Sequence, residues 1–106
     1  MNLLFICSRN RLRSPTAEVI FGGRPEISTM SAGTAPDADV AVSVDLIEWA
    51  DLILVMEPVH RKRLNRDFAQ LLRNKRVIVL GIPDRYEYMG PELVKVLESR
   101  VSKHID

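Results

Sequence analysis

The stretch Asn2-Leu3-Leu4-Phe5-Ile6-Cys7-Ser8-Arg9-Asn10-Arg11-Leu12-Arg13-Ser14-Pro15-Thr16-Ala17-Glu18 decides the fold. Its first part, Asn2 to Ile6, is a short apolar run that suits a buried strand. The polar residues from Cys7 to Arg13 cannot continue such a strand. Ser14-Pro15-Thr16-Ala17-Glu18 then reads as a helix start. Ser14 is a good N-cap, Pro15 fits the first helical position, and Glu18 places negative charge in the first turn. The helix runs to about Phe21 and stops at Gly22-Gly23. The chain therefore opens strand, polar loop, helix.

Downstream the alternation repeats. Glu26 to Ser31 is a weaker second strand, followed by the loop Ala32-Gly33-Thr34-Ala35-Pro36. Ser43 caps a short helix over Val44 to Ala50, and Asp51 to Met56 is a buried strand. Pro58 opens a longer helix whose Leu64, Phe68, Leu71 and Leu72 share one face. Arg76 to Leu80 is a further strand, Gly81 to Gly90 a loop, and Pro91 starts a last helix with Leu93, Val94, Leu97 and Val101 inward. Continuous apolar strands alternating with amphipathic helices imply a parallel sheet covered on both faces. The expectation is one domain over residues 1–106, an α/β three-layer sandwich around a four-stranded parallel sheet. Ligands in such folds bind beyond the carboxyl ends of the strands, where Cys7 and Asp84 both fall.

Composition narrows the class. A hydrophobic fraction of 46% and a charged fraction of 27% are ordinary for a globular protein. No apolar run reaches the ~20 residues of a membrane helix. The N-terminal run is too short for a signal peptide, so the expected location is cytoplasmic, away from membranes. The net charge of +1 conceals two basic clusters, Arg9, Arg11 and Arg13, and then Arg61, Lys62, Arg63 and Arg66. Neither reads as a nucleic-acid tail, and the second reads as a solvated helix face. The single cysteine, Cys7, removes intramolecular disulfides and Cys-based metal clusters. It leaves a small buried hydrophobe or a reactive thiol. His60 and His104 fall on or near polar helix faces and read as exposed, Trp49 reads as core, and Asp37 and Asp39 read as solvated.

The surroundings of Cys7 favour the thiol reading. A loop between a buried strand and a helix N-terminus points backbone N–H groups at one centre, and the helix dipole adds to their attraction for an anion. The same field favours a thiolate. Ser14 offers that thiolate a hydroxyl donor, and Arg13 offers a planar fork that matches two phosphate oxygens. Asn10 is among the few non-glycine residues that tolerate the positive φ a tightly curled loop needs. Ser8, Arg9, Asn10, Arg11, Leu12, Arg13 and Ser14 are thus the candidate phosphate-binding residues. Arg9 and Arg11, flanking that pocket, would attract substrates with more than one negative charge.

Cys7, five residues, Arg13 and Ser14 resemble the Cys-x5-Arg-Ser/Thr signature of cysteine-based phosphatases. Their place after the first strand, Asn10, the Ser31-Ala32-Gly33-Thr34 segment and the run Asp51 to Glu57 are similar to the low-molecular-weight protein tyrosine phosphatases over nearly the whole chain. Among these, the short bacterial members are the most similar. The resemblance implies a flavodoxin-like, low-molecular-weight-phosphatase-like fold and a phosphomonoesterase that uses neither metal nor cofactor. It implies Cys7 as nucleophile, Arg13 as oxygen-binding residue, Asp84 as general acid, and Tyr86 and Tyr88 flanking an aromatic leaving group. The implied partner is a phosphorylated substrate, a phosphotyrosine protein or a small phosphoester. Leu12 stands where that family keeps a second cysteine, and Pro83-Asp84 reverses the family's Asp-Pro order. The rival readings are a phosphatase for nucleotides, RNA ends or other multiply charged phosphoesters, an arsenate reductase, a phosphocysteine carrier, and a non-catalytic phosphate-binding module. An arsenate reductase normally needs further thiols, and a carrier should lack both Arg13 and Asp84.

Overall fold

Alternate residues of the first strand go to opposite faces of a sheet, and both faces are covered. In the computed structural model, which describes residues 1–105, β1 (Asn2–Cys7) sends Leu3, Phe5 and Cys7 into one core and Leu4 and Ile6 into the other. A strand covered on both sides can carry no polar side chain over its middle, which is why Leu3 to Ile6 is wholly apolar. After β1 come α1 (Arg13–Phe21), β2 (Ser28–Gly33), α2 (Val44–Trp49), β3 (Leu52–Val55) and α3 (Pro58–Phe68). A 3-10 turn over Leu71–Asn74, β4 (Arg76–Val79) and α4 (Pro91–Ile105) complete the order.

All strand pairs are parallel, in the order β2-β1-β3-β4. Residues of α1 and α4 cover one face, and residues of α2 and α3 the other. The chain moves outward from β1 to β2, then crosses back to β3, so the direction of winding reverses between β1 and β3. The crevice beyond the carboxyl ends of those two strands is the topological switch point. Cys7 and Glu57 both lie there. Phe5 and Phe21 stack at 5.8 Å between ring centres beneath that edge. Replacing Phe5 with alanine would cost about 3–5 kcal/mol in such a core.

Three boundaries differ from the sequence reading. Ala32 and Gly33 belong to β2, paired with Ile6 and Cys7, rather than to the loop that follows. Gly33 is required there, because a Cβ would lie 2.5 Å from the Ser8 carbonyl oxygen and 2.7 Å from the Ala38 Cβ. Leu71 and Leu72 leave the long helix for the 3-10 turn, yet both still pack with the α2/α3 core. Ser14 does not cap α1: the helix begins at Arg13, with Leu12 at the N-cap and no side-chain cap bond. The Ser14 hydroxyl is engaged at Cys7 instead. Likewise Glu18 bonds to Ser31 rather than to the first turn. Among the described residues, no helix is long and apolar enough to cross a membrane.

Candidate active site

The loop from Cys7 to Leu12 has its carbonyls tied down on the outside. The Cys7 oxygen accepts from Thr34 N–H at 3.0 Å, that of Ser8 from Ala35 at 2.9 Å, and that of Arg9 from Asp39 at 3.1 Å. The Leu12 oxygen accepts from Thr16 N–H at 3.2 Å and from its hydroxyl at 2.7 Å. In a planar trans peptide the N–H points opposite to the C=O, so anchoring carbonyls outward turns amides inward. The backbone N–H groups of Arg9, Asn10, Arg11, Leu12 and Arg13 donate to no backbone carbonyl among the described residues. Converging amides ahead of a helix make an anion-binding concavity, strengthened by the α1 dipole. Asn10 makes the tight turn at φ 59°. A cavity of about 160 Å³ lies over this loop, lined by Cys7, Ser8, Arg9, Arg11, Leu12, Arg13 and Asp84.

Beneath the cavity runs a chain of hydrogen bonds whose direction is fixed from Glu18 to Ser14. The Glu18 carboxylate can only accept, so the Ser31 hydroxyl donates to it. Ser31 Oγ then accepts from Asn10 Nδ2 at 2.9 Å, and the same amide donates to Ser14 Oγ at 3.0 Å. Ser14 has one proton left to give. Cys7 Sγ stands 3.0 Å away, with the Ala32 carbonyl at 3.3 Å as a second acceptor. Once Cys7 is ionised, its sulfur can only accept, and the Ser14 proton is the donor that stabilises it. Asn10, Ser14 and Ser31 are all buried, so breaking one link would strand a polar group in the interior.

Arg13 is held with equal definition. It is 2% exposed, and its Nη1 donates to Glu57 Oε1 at 2.5 Å and to the Ile82 carbonyl at 2.8 Å. Both Nη1 hydrogens are thereby used, which leaves the Nε and Nη2 edge as the free fork. Asp84 Oδ1 lies 3.7 Å from that Nε, with its side chain 62% exposed at the cavity rim. Glu57 is also the N-cap of α3, where it forms a reciprocal capping box with His60. The His60 ring accepts the Glu57 N–H on Nδ1 at 3.0 Å and meets Ser8 Oγ with Nε2 at 2.9 Å. Burial first, and then the positive charge of Arg13, push the His60 pKa down to about 4, against the pull of Glu57.

The residues from Cys7 to Ser14 fall in two layers. Cys7, Ser8, Arg9, Arg11, Leu12 and Arg13 line the cavity with Asp84, while Asn10 and Ser14 support it from below. Tyr86 and Tyr88 are not brought to the cavity lining. Tyr86 packs against the α1/α4 core, with Arg85 over its ring at 5.5 Å, and Tyr88 is exposed. An aromatic in an irregular loop carries no periodicity to tell core from cleft. Trp49 packs against the α2/α3 core as read. His60 overturns its reading as an exposed residue, since it is fully buried. It sits at the N3 position of α3, where a box partner turns back toward the sheet edge. Glu57, His60 and Glu18 are the site residues that sequence reasoning missed, and the Glu57-Pro58-Val59-His60 spacing was the available signal for two of them. Arg61, Lys62 and Arg66 are exposed, as a solvated face requires, while Arg63 donates to Thr34 Oγ1 at 3.2 Å. Asp39 is exposed and faces Arg11 at 3.4 Å.

No protein-family model matches this chain, and no curated protein matches it in sequence. Solved structures do match it in shape. The YwlE arginine phosphatase from Geobacillus stearothermophilus superposes with a TM-score of 0.72 at 19% identity, over 98% of this chain and 92% of that one. The tyrosine phosphatase Wzb from Escherichia coli K30, in complex with phosphate, gives 0.76 at 22% identity, over 97% and 94%. SP-PTP, a low molecular weight protein tyrosine phosphatase from Streptococcus pyogenes, gives 0.79 at 16% identity, over 99% and 93%. The chain has the fold of these proteins along almost its whole length.

Proposed function

We propose that this protein is a phosphomonoesterase that acts through a phosphocysteine at Cys7 and needs no metal ion. The observation that carries the reading is the Ser14 hydroxyl aimed at Cys7 Sγ at 3.0 Å, at the floor of an amide-lined loop. An inert buried cysteine has no use for that donor. Shared shape with phosphatases for tyrosine and arginine phosphate supports the reading.

The roles follow from the geometry. The loop amides and the free edge of Arg13 hold the non-bridging oxygens, whose charge spreads in the transition state. Cys7 thiolate attacks phosphorus, and the S–P bond forms as the bond to the leaving oxygen breaks. Asp84 gives its proton to that oxygen. Water then attacks the phosphocysteine, Asp84 takes up the proton, and Cys7 departs as thiolate with release of inorganic phosphate. The substrate we assign is a phosphotyrosine protein or a small phosphoester. A nucleophilic thiolate with no second cysteine fits the reducing cytoplasm.

The test is hydrolysis of p-nitrophenyl phosphate in the presence of a chelator. The parent turns over and Cys7→Ser does not. Loss of the parent's activity on chelation, or activity retained in Cys7→Ser, would refute the assignment.

A further inference from the structure

Ser8 follows the nucleophile directly and lines the cavity, and its hydroxyl meets a buried imidazole from a different element. We propose that Ser8 Oγ–H is a donor to a phosphate oxygen in this cavity, and that His60 is the positioning residue that turns its proton inward. The inference rests on the reading of the cavity as a phosphate site.

The direction of each bond is fixed by what each atom can do. A backbone amide can only donate, so His60 Nδ1, which receives the Glu57 N–H at 3.0 Å, carries no proton. In a neutral ring the proton is then on Nε2, 2.9 Å from Ser8 Oγ. Nε2 donates and the serine oxygen accepts. The serine's own proton has no other acceptor among the described residues. A phosphate oxygen over the loop amides supplies one. With the opposite tautomer Ser8 would donate to the ring and its proton would be lost to the ligand. Desolvation, holding the ring's pKa at about 4, keeps it neutral near pH 7 and so keeps this arrangement.

Glu57 couples this device to the arginine. Its carboxylate takes an Nη1 hydrogen of Arg13, and its N–H sets the His60 tautomer. One residue at the start of α3 thus orients two donors that line the cavity.

The substitutions that separate this role from helix capping are His60→Asn and His60→Gln. Asparagine can keep an acceptor at the Nδ1 position, and with it the cap, but has no N–H where Nε2 stood. Glutamine places an N–H near the Nε2 position. Affinity for inorganic phosphate, measured by calorimetry, is the readout, together with ¹⁵N NMR of the parent's ring. Expected results are a loss of about tenfold in Ser8→Ala and in His60→Asn, with no further loss in the double variant. His60→Gln should stay within about threefold of the parent, and the ring should be protonated on Nε2. The proposal is overturned if Ser8→Ala binds as the parent does or if the parent's ring carries its proton on Nδ1. It is also overturned if the two losses multiply, or if His60→Asn binds tightly while His60→Gln does not. Because none of these readouts needs turnover, an inactive parent would sink the esterase assignment and leave this one standing on its own data.

Discussion

The loop from Cys7 to Ser14 and the loop from Gly81 to Gly90 face one cavity but are built in opposite ways. In the first, Arg13 has two acceptors on Nη1, Asn10 donates twice, and four carbonyls are anchored outward. In the second, the ends and Tyr86 are held and the stretch from Pro83 to Arg85 is not. Arg100 holds the carbonyls of Leu80 and Gly81 at 2.8 and 2.6 Å, and Met89 N–H donates to Thr16 Oγ1 at 3.0 Å. Between them Pro83, Asp84 and Arg85 are exposed, and the Asp84 side chain's tie to the cavity is the 3.7 Å approach to Arg13. The difference matches two chemical tasks. The oxygens of a transferring phosphoryl group occupy the same places in every substrate, so their donors gain from being fixed beforehand. The leaving group varies from substrate to substrate, and Asp84, the acid proposed to serve it, sits on the less constrained loop.

Substitutions on the two sides should separate these tasks. Arg13→Ala removes the closing guanidinium and strands the Glu57 carboxylate. kcat/KM for p-nitrophenyl phosphate should fall by about 10³-fold, for good and poor leaving groups alike. Asp84→Asn should cost about 10²-fold with alkyl phosphates and much less with aryl phosphates of low leaving-group pKa. A uniform loss across a leaving-group series would remove Asp84 from the role of acid.

Stability should follow the same division. Asn10→Ala puts at φ 59° a residue that tolerates the left-handed region less well than asparagine, and it strips a donor from two buried hydroxyls, so denaturant unfolding should show a loss of about 2–3 kcal/mol. Tyr88→Ala, in the opposite loop and 51% exposed, should change it by less than about 0.5 kcal/mol. Equal losses would erase the contrast between the loops.

A pH dependence of stability is also expected. His60 has a folded pKa of about 4 against 6.5 unfolded, so between those values the unfolded chain binds this proton and the folded one does not. This group therefore makes stability fall as pH drops from 6.5 toward 4, and adds no slope above or below that window. Chemical unfolding of the parent across that range should show a steeper fall than unfolding of His60→Gln. Parallel curves would contradict the buried, neutral ring.

Local pattern carried the Cys7–Ser14 loop. Cys7, Asn10, Arg13 and Ser14 are neighbours in sequence, and the apolar run before them could only be a covered strand. The partners that give those residues their direction come from α1, β2 and the start of α3, and no local pattern joins Glu18 to Ser31 or Glu57 to Arg13. Propensity misled at Ser14, where a good N-cap residue gives its hydroxyl to Cys7 instead. Hydropathy misled at His60, because a polar helix face and the N3 position of a capping box look the same until the sheet edge is in place. Tyr86 shows the converse, a residue in an irregular loop claimed by the core.

The most direct measurement is to quench turnover of an aryl phosphate within milliseconds and locate the phosphoryl group on the protein by mass spectrometry and ³¹P NMR. The account predicts a phosphothioester on Cys7 in the parent, enriched when Asp84→Asn slows its hydrolysis, and absent in Cys7→Ser. Turnover with no phosphorylated protein, or with the phosphoryl group on any other residue, would contradict it.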